Sequence, residues 1–314
     1  MRIVIYSLSF VLALGLVAGC GRREDDKRLA RMLDRAVFLE EEPDSLVKAA
    51  ALYKEIAGRF PGRAEGRRAA DRAQRLERIG EIYRETGATV EGDSAVILFC
   101  KQVLGVAPDF RPAVRRLGSV YHEQIDFLGQ LASSPVWHSE ASMNQVWSIW
   151  REQDQIWSNY DFRVQGTDRD WGDRLCVSAQ VVANMLGRYD RFADALATVQ
   201  RGLSYSKTDR VAARAKVDAA YYSFWVRNFE ETTRLSKEAL DSGLLEREGQ
   251  AKAYHMLGMG YAYLYLGSKD ADHMEKSIRA LNESLQLDDQ NKDARELLRA
   301  MREAKEKLSL VTRE

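Results

Sequence analysis

Apolar residues recur along most of this chain three and four positions apart, the spacing that predicts amphipathic α-helices. Near the C-terminus the pattern predicts a helix from about Asp293 to Leu308. Ala294, Leu297, Leu298, Met301, Ala304 and Leu308 fall on one of its faces, and Arg295, Glu296, Arg299, Arg302 and Glu303 on the other. Upstream, triads of a small, a large and another small residue stand four and then three apart. Ala195, Val199 and Gly202 form one, Thr232, Ser236 and Ala239 a second, and Ser277, Leu281 and Ser284 a third. Ala49, Tyr53 and Ile56 lead to Pro61, and Ala95, Phe99 and Gln102 to Pro108. Proline cannot continue a helix, so each of these segments ends there. Only 5 prolines in 314 residues leave room for long helices. An all-α protein is expected.

A second pattern partners the first. Val114, Leu117-Gly118 and Tyr121 repeat the spacing of Tyr254, Leu257-Gly258 and Tyr261. This resembles helix A of the tetratricopeptide repeat, and the triads resemble its helix B. The resemblance implies a solenoid of helical hairpins in which glycine lets paired helices approach closely. Equivalent positions lie 46, 100, 37 and 45 residues apart, against a regular repeat of about 34. About five units with long helices or loops are therefore expected, one of them degenerate. The C-terminal helix, with one apolar and one charged face, suits a cap over the last repeat.

The interval of 100 contains a distinct segment, residues 133–174, with Trp137, Trp147, Trp150, Trp157 and Trp171, five of the six tryptophans. Ser139 to Tyr160 is predicted as a helix with Met143, Trp147, Trp150 and Trp157 along one stripe, and Arg163 to Gly172 as a loop. Such a stripe is expected to be core, with a partner contact as the alternative. The expected divisions are a leader at 1–19, N-terminal repeats at 20–132, the Trp-rich segment at 133–174, and C-terminal repeats with the cap at 175–314.

The first twenty residues, MRIVIYSLSFVLALGLVAGC, differ from the rest. Arg2 precedes an uncharged apolar run that is too short for a membrane span and ends at small residues, the pattern of a secretory signal. Leu16-Val17-Ala18-Gly19-Cys20 resembles the bacterial lipobox, which implies cleavage before Cys20 and acylation of it. Acyl chains contribute about 0.8 kcal/mol per buried CH₂, so several chains anchor firmly. Gly21, where an aspartate is absent, implies the outer membrane facing the periplasm. Cys100 and Cys176 are expected to be free thiols, because 76 positions separate them and only neighbouring units of an array touch.

Charge and chemistry narrow the function. With 47 basic and 47 acidic side chains, no basic excess points to nucleic acid. No GxSxG, GxxxxGK[ST] or HExxH sequence occurs, the four histidines are scattered, and no Cys/His pair has metal-ligand spacing. No enzyme activity, cofactor or metal is expected. Arg59, Arg63, Arg67, Arg68, Arg72, Arg75 and Arg78 are expected to form a solvated face with intrahelical pairs, with contact to acidic lipid or an acidic partner as the alternative. The repeat resemblance implies a partner-binding groove on the helices A. It would comprise Gln180, Asn184 and Arg188 from one unit, Tyr221, Phe224 and Trp225 from the next, and His255, Met259 and Tyr263 from the last. The expected function is a lipid-anchored periplasmic scaffold that holds envelope proteins. A cell-wall enzyme or a passive structural lipoprotein is the alternative.

Overall fold

A computed structural model describes residues 24–86, 90–132, 139–158 and 169–311, and among these every regular element is helical. The α-helices are α1 (24–40), α2 (Leu46–Arg59), α3 (Ala64–Thr86), α4 (Asp93–Val106), α5 (Arg111–Ala132), α6 (Glu140–Ser158), α7 (Arg169–Gly187), α8 (Phe192–Tyr205), α9 (Asp209–Trp225), α10 (Phe229–Asp241), α11 (Arg247–Ser268), α12 (Ala271–Leu287) and α13 (Lys292–Val311). The fold is an all-α, tetratricopeptide-like series of helical hairpins ending in a capping helix. The predicted Cys20 anchor, Trp137 and Tyr160 lie outside the described residues.

The chain forms two compact units. In the first, made of residues up to Val120 together with 156–158, α2 packs on α3 and α3 on α4. Ala49, Tyr53 and Ile56 are buried as their spacing predicts. The predicted register of α4 is wrong by one position. Ala95 and Gln102 are exposed, and the inward face is Val96, Phe99, Cys100 and Val103. Phe99 meets Tyr83 of α3 edge-on, ring centroids 4.8 Å apart.

One arginine of the run leaves the expected solvated face. Arg72 is only 16% exposed, held by Glu40 of α1 at 2.5 Å and by Asp109 at 2.6 Å. Arg59, Arg63, Arg75 and Arg78 pair with Glu55, Asp26, Asp71 and Glu81. Arg59, Arg75 and Arg78 stay exposed in pairs within their own helices, as expected of a solvated face, whereas Arg72 is drawn inside.

The second unit, residues 121–155 and 169–311, repeats one arrangement three times. Helix α7 packs on α8 and α9, α9 on α10 and α11, and α11 on α12 and α13. Each hairpin turn holds one non-glycine residue in the left-handed region: Asp190, Arg227 and Lys269, with φ of 57°, 64° and 59°. In the first two turns the N–H groups of Arg191 and Asn228 reach back to the carbonyls of Leu186 and Ser223. That bond satisfies a terminal carbonyl and reverses the chain at a fixed angle.

The three predicted triads all point inward. Ala195, Val199, Thr232, Ser236, Ala239, Ser277, Leu281 and Ser284 are fully buried, and Gly202 is buried with them. Glycine at the helix crossings is a spatial requirement. A methyl on Gly258 would stand 2.6 Å from Leu281 Cγ of α12. Beside it the Ser277 hydroxyl donates to the Gly258 carbonyl at 2.8 Å, and Ser284 donates to the Ala251 carbonyl at 3.0 Å. These bonds satisfy hydroxyls that would otherwise be buried without partners. Helix α13 covers the end, its Ala294, Leu298 and Met301 joining Tyr265, Met274 and Leu281 in one core cluster.

One face of helix α6 is interior. Met143, Val146, Trp150 and Trp157 are buried, while half-buried Trp147 lies under the Arg191 guanidinium at 4.0 Å. The stripe is core, as expected. The expected loop at 163–172 is helical from Arg169 onward, where α7 begins, and residues 163–168 lie outside the described part.

Both cysteines are buried free thiols. Burial pushes Cys100 up to about 11 and Cys176 up to about 12, so neither is a thiolate near neutral pH.

Candidate functional site

The exposed faces of α7, α9 and α11 carry a polar notch and an aromatic strip. The notch, about 330 Å³, is lined by Gln180 and Asn184 from α7, Arg214 and Asp218 from α9, and Glu248 and Lys252 from α11, among others. It forms because helices A of consecutive units pack side by side, so residues one turn apart on each helix line a shared furrow. Gln180 Nε2 donates to Asp218 Oδ2 at 2.6 Å. Asn184 Oδ1 accepts from the Tyr222 hydroxyl at 2.8 Å. Burial holds the Asp218 carboxyl above the usual carboxylate range, opposed by the Gln180 hydrogen bond and by the charges of Lys252 and Arg214. Burial likewise raises the Tyr222 phenol, reinforced by Asp218. Tyr222 therefore remains a neutral donor.

The aromatic strip begins one turn further along α9. Trp225 stacks on Phe192 at the start of α8, centroids 5.1 Å apart and planes 14° apart. Tyr221 and Phe224 contact Trp225 edge-on. Phe224 then meets Tyr263 of α11 at 5.0 Å, and Phe229 of α10 stacks on Tyr263 at 4.9 Å. Tyr221, Trp225 and Tyr263 are 42%, 47% and 41% exposed. Tyr221 touches Trp225, and buried Phe224 links Trp225 to Tyr263, so three solvent-facing rings share one support and form a preorganised apolar surface.

Of the nine predicted groove residues, Gln180 and Asn184 line the notch, and Tyr221, Trp225 and Tyr263 face outward on the strip. Phe224 is buried beneath them and supports the strip instead of presenting itself. Arg188 is exposed and close enough to Tyr222 for its charge to act on the phenol. Met259 is half-buried on α11. His255 belongs to another contact: its Nδ1 lies 3.3 Å from Asn291 Nδ2, where Asn291 caps α13. Burial lowers its pKa. Asp218, Tyr222, Phe192 and Phe229 were not anticipated. Arg214, Asp218 and Tyr222 stand four apart on α9 and so share a helix face, a signal that was available.

No protein-family model matches this chain, and no curated protein matches it. Two solved structures share some of its helical arrangement. BtubC (BKLC) from P. vanneervenii is 16% identical, with a TM-score of 0.41, over 71% of this chain and 84% of that one. The APC/C hetero-tetramer Cut9-Hcn1 is 12% identical, with a TM-score of 0.38, over 86% of this chain and 55% of that one. Likeness this weak carries nothing about function. Among the described residues no group of His, Cys, Asp and Glu could hold a metal ion, and no helix is long and apolar enough to cross a membrane.

Proposed function

We propose that this chain is a binding scaffold that grips a peptide segment of a partner protein along α7, α9 and α11, tethered to the bacterial envelope by acyl chains on Cys20. The observation that carries the reading is the adjacency of an open polar notch and three exposed rings on helices A, Tyr221, Trp225 and Tyr263, held through contacts with Phe192, Phe224 and Phe229. A peptide needs both kinds of contact: main-chain and polar groups answered by Gln180, Asn184 and Arg188, and apolar side chains laid against Tyr221, Trp225 and Tyr263. Aromatic and arginine side chains dominate binding energy at protein interfaces. The lipobox-like Cys20 and the Gly21 after it favour the outer membrane facing the periplasm, with envelope proteins as partners.

In-cell crosslinking tests the reading. The Tyr221→Ala, Trp225→Ala double variant is expected to keep its helicity and lose the partner adduct of the wild type. Full capture by that folded variant removes the strip from the binding surface. Cys20→Ala is expected to abolish lipid labelling. Persistent labelling would refute the anchor while leaving the groove untouched.

A further inference from the structure

Asp218, Glu246 and Glu248 line the notch together with Arg214 and Lys252. Glu246 is also met by Arg210 at 3.6 Å, so of the three carboxylates Asp218 is the one outside an ion pair. Both cations are engaged: Arg214 with Glu246 at 3.6 Å and Lys252 with Glu248 at 2.7 Å. Asp218 has one polar partner, the Gln180 amide on Oδ2. Its other oxygen remains on the wall of an open cavity. A carboxylate held there outside an ion pair loses more hydration than the Gln180 bond and the charges of Lys252 and Arg214 return, and its pKa is raised.

Resting on the peptide-binding reading above, we propose that Asp218 receives a lysine ammonium of the bound segment, and that this lysine stands three or four residues from an aromatic or large aliphatic residue lying on the strip. Lysine fits better than arginine. Gln180 occupies one carboxylate oxygen, so the two-pronged pairing that favours a guanidinium is blocked, whereas an ammonium needs only one oxygen. The spacing follows from α9. Asp218 precedes Trp225 by seven residues, about 10 Å of helix at 1.5 Å per residue. An extended chain covers that distance in about three residues at about 3.3 Å each. Other groups facing Asp218 are neutral Gln180 and Asn184 from α7, Arg214 and Tyr222 on α9, Glu246 just before α11, and Glu248 and Lys252 from α11. Acidification protonates Asp218 and thereby weakens lysine binding.

The test is selection of a display library of random nine-residue peptides on the full mature chain, with Asp218→Asn and the Tyr221→Ala, Trp225→Ala variant in parallel. Asparagine retains an oxygen for Gln180, and circular dichroism confirms folding. Wild type is expected to enrich lysine three or four positions from a large apolar residue. Asp218→Asn is expected to keep the apolar preference and lose the lysine. For the leading peptide, Lys→norleucine should weaken binding about tenfold or more on wild type and change nothing on Asp218→Asn. Enrichment of apolar residues without lysine, or of arginine in its place, overturns this inference and leaves the binding reading standing. No enrichment beyond that of the Tyr221→Ala, Trp225→Ala variant overturns both.

Discussion

Gly258→Ala pits two effects of opposite sign against each other at one atom. Alanine is the better helix former, by about 1 kcal/mol in a helix interior. Against that, the new methyl would stand 2.6 Å from Leu281 Cγ, 2.8 Å from Cδ2 and 3.3 Å from the Leu281 backbone nitrogen. Cγ lies near the root of a fully buried side chain, and the nitrogen belongs to α12 itself. Relief therefore requires the two helices to part, straining the Ser277 bond to the Gly258 carbonyl. Overpacking of this kind costs about 1–3 kcal/mol, so after the helix-propensity gain a net loss of about 0–2 kcal/mol is expected. Leu281→Ala alone empties the same space and should cost about 2–5 kcal/mol. In the double variant the Gly258 methyl occupies part of that cavity, so the combined loss should fall short of the sum by about 1 kcal/mol or more. The assay is amide hydrogen exchange across α11 and α12, which reads local stability where a repeat array need not unfold in one step. A more stable Gly258→Ala, or strict additivity, would refute the argument that glycine is there for close approach.

Three further outcomes follow from the same geometry. Truncation before Asp293 should uncover Tyr265, Met274 and Leu281 and cause self-association in light scattering; a monomer with unchanged melting would show that α13 is no cap. His255, its pKa lowered by burial, resists protonation in the folded state, so the unfolded chain binds more protons below its ordinary value near 6.5. Stability should fall as pH drops from about 7 to 5, and His255→Gln should flatten that slope in denaturant titrations, whereas an unchanged slope would clear His255. Arg227→Gly should raise stability by about 1 kcal/mol, because φ of 64° suits glycine; a loss in melting temperature would show that the arginine side chain matters more than its backbone.

The sequence disclosed those parts of the fold that packing makes periodic. The triads of α8, α10 and α12 were legible because a helix crossing between two neighbours tolerates only small residues at the crossing points. The register of α4 was not, because Val96 to Cys100 is apolar throughout, so any register buries something. At the site, Tyr221, Trp225 and Tyr263 could be placed by counting from the repeat motif. Asp218 was hidden among 47 acidic residues, and only its burial beside Gln180 separates it from the rest. Phe192 and Phe229 were not singled out, since nothing in their spacing shows that the hairpin turns set them against Trp225 and Tyr263. His255 shares the helix line of the groove residues, yet the Asn291 cap takes it toward α13.

The most direct measurement is site-specific photo-crosslinking in living cells, with the reactive residue placed at Tyr221 on the aromatic strip or at Lys237 on the exposed face of α10. The account predicts a discrete adduct from position 221, weakened when Asp218→Asn is added, and none from position 237. Equal capture from both positions, or capture from position 237 alone, would contradict it.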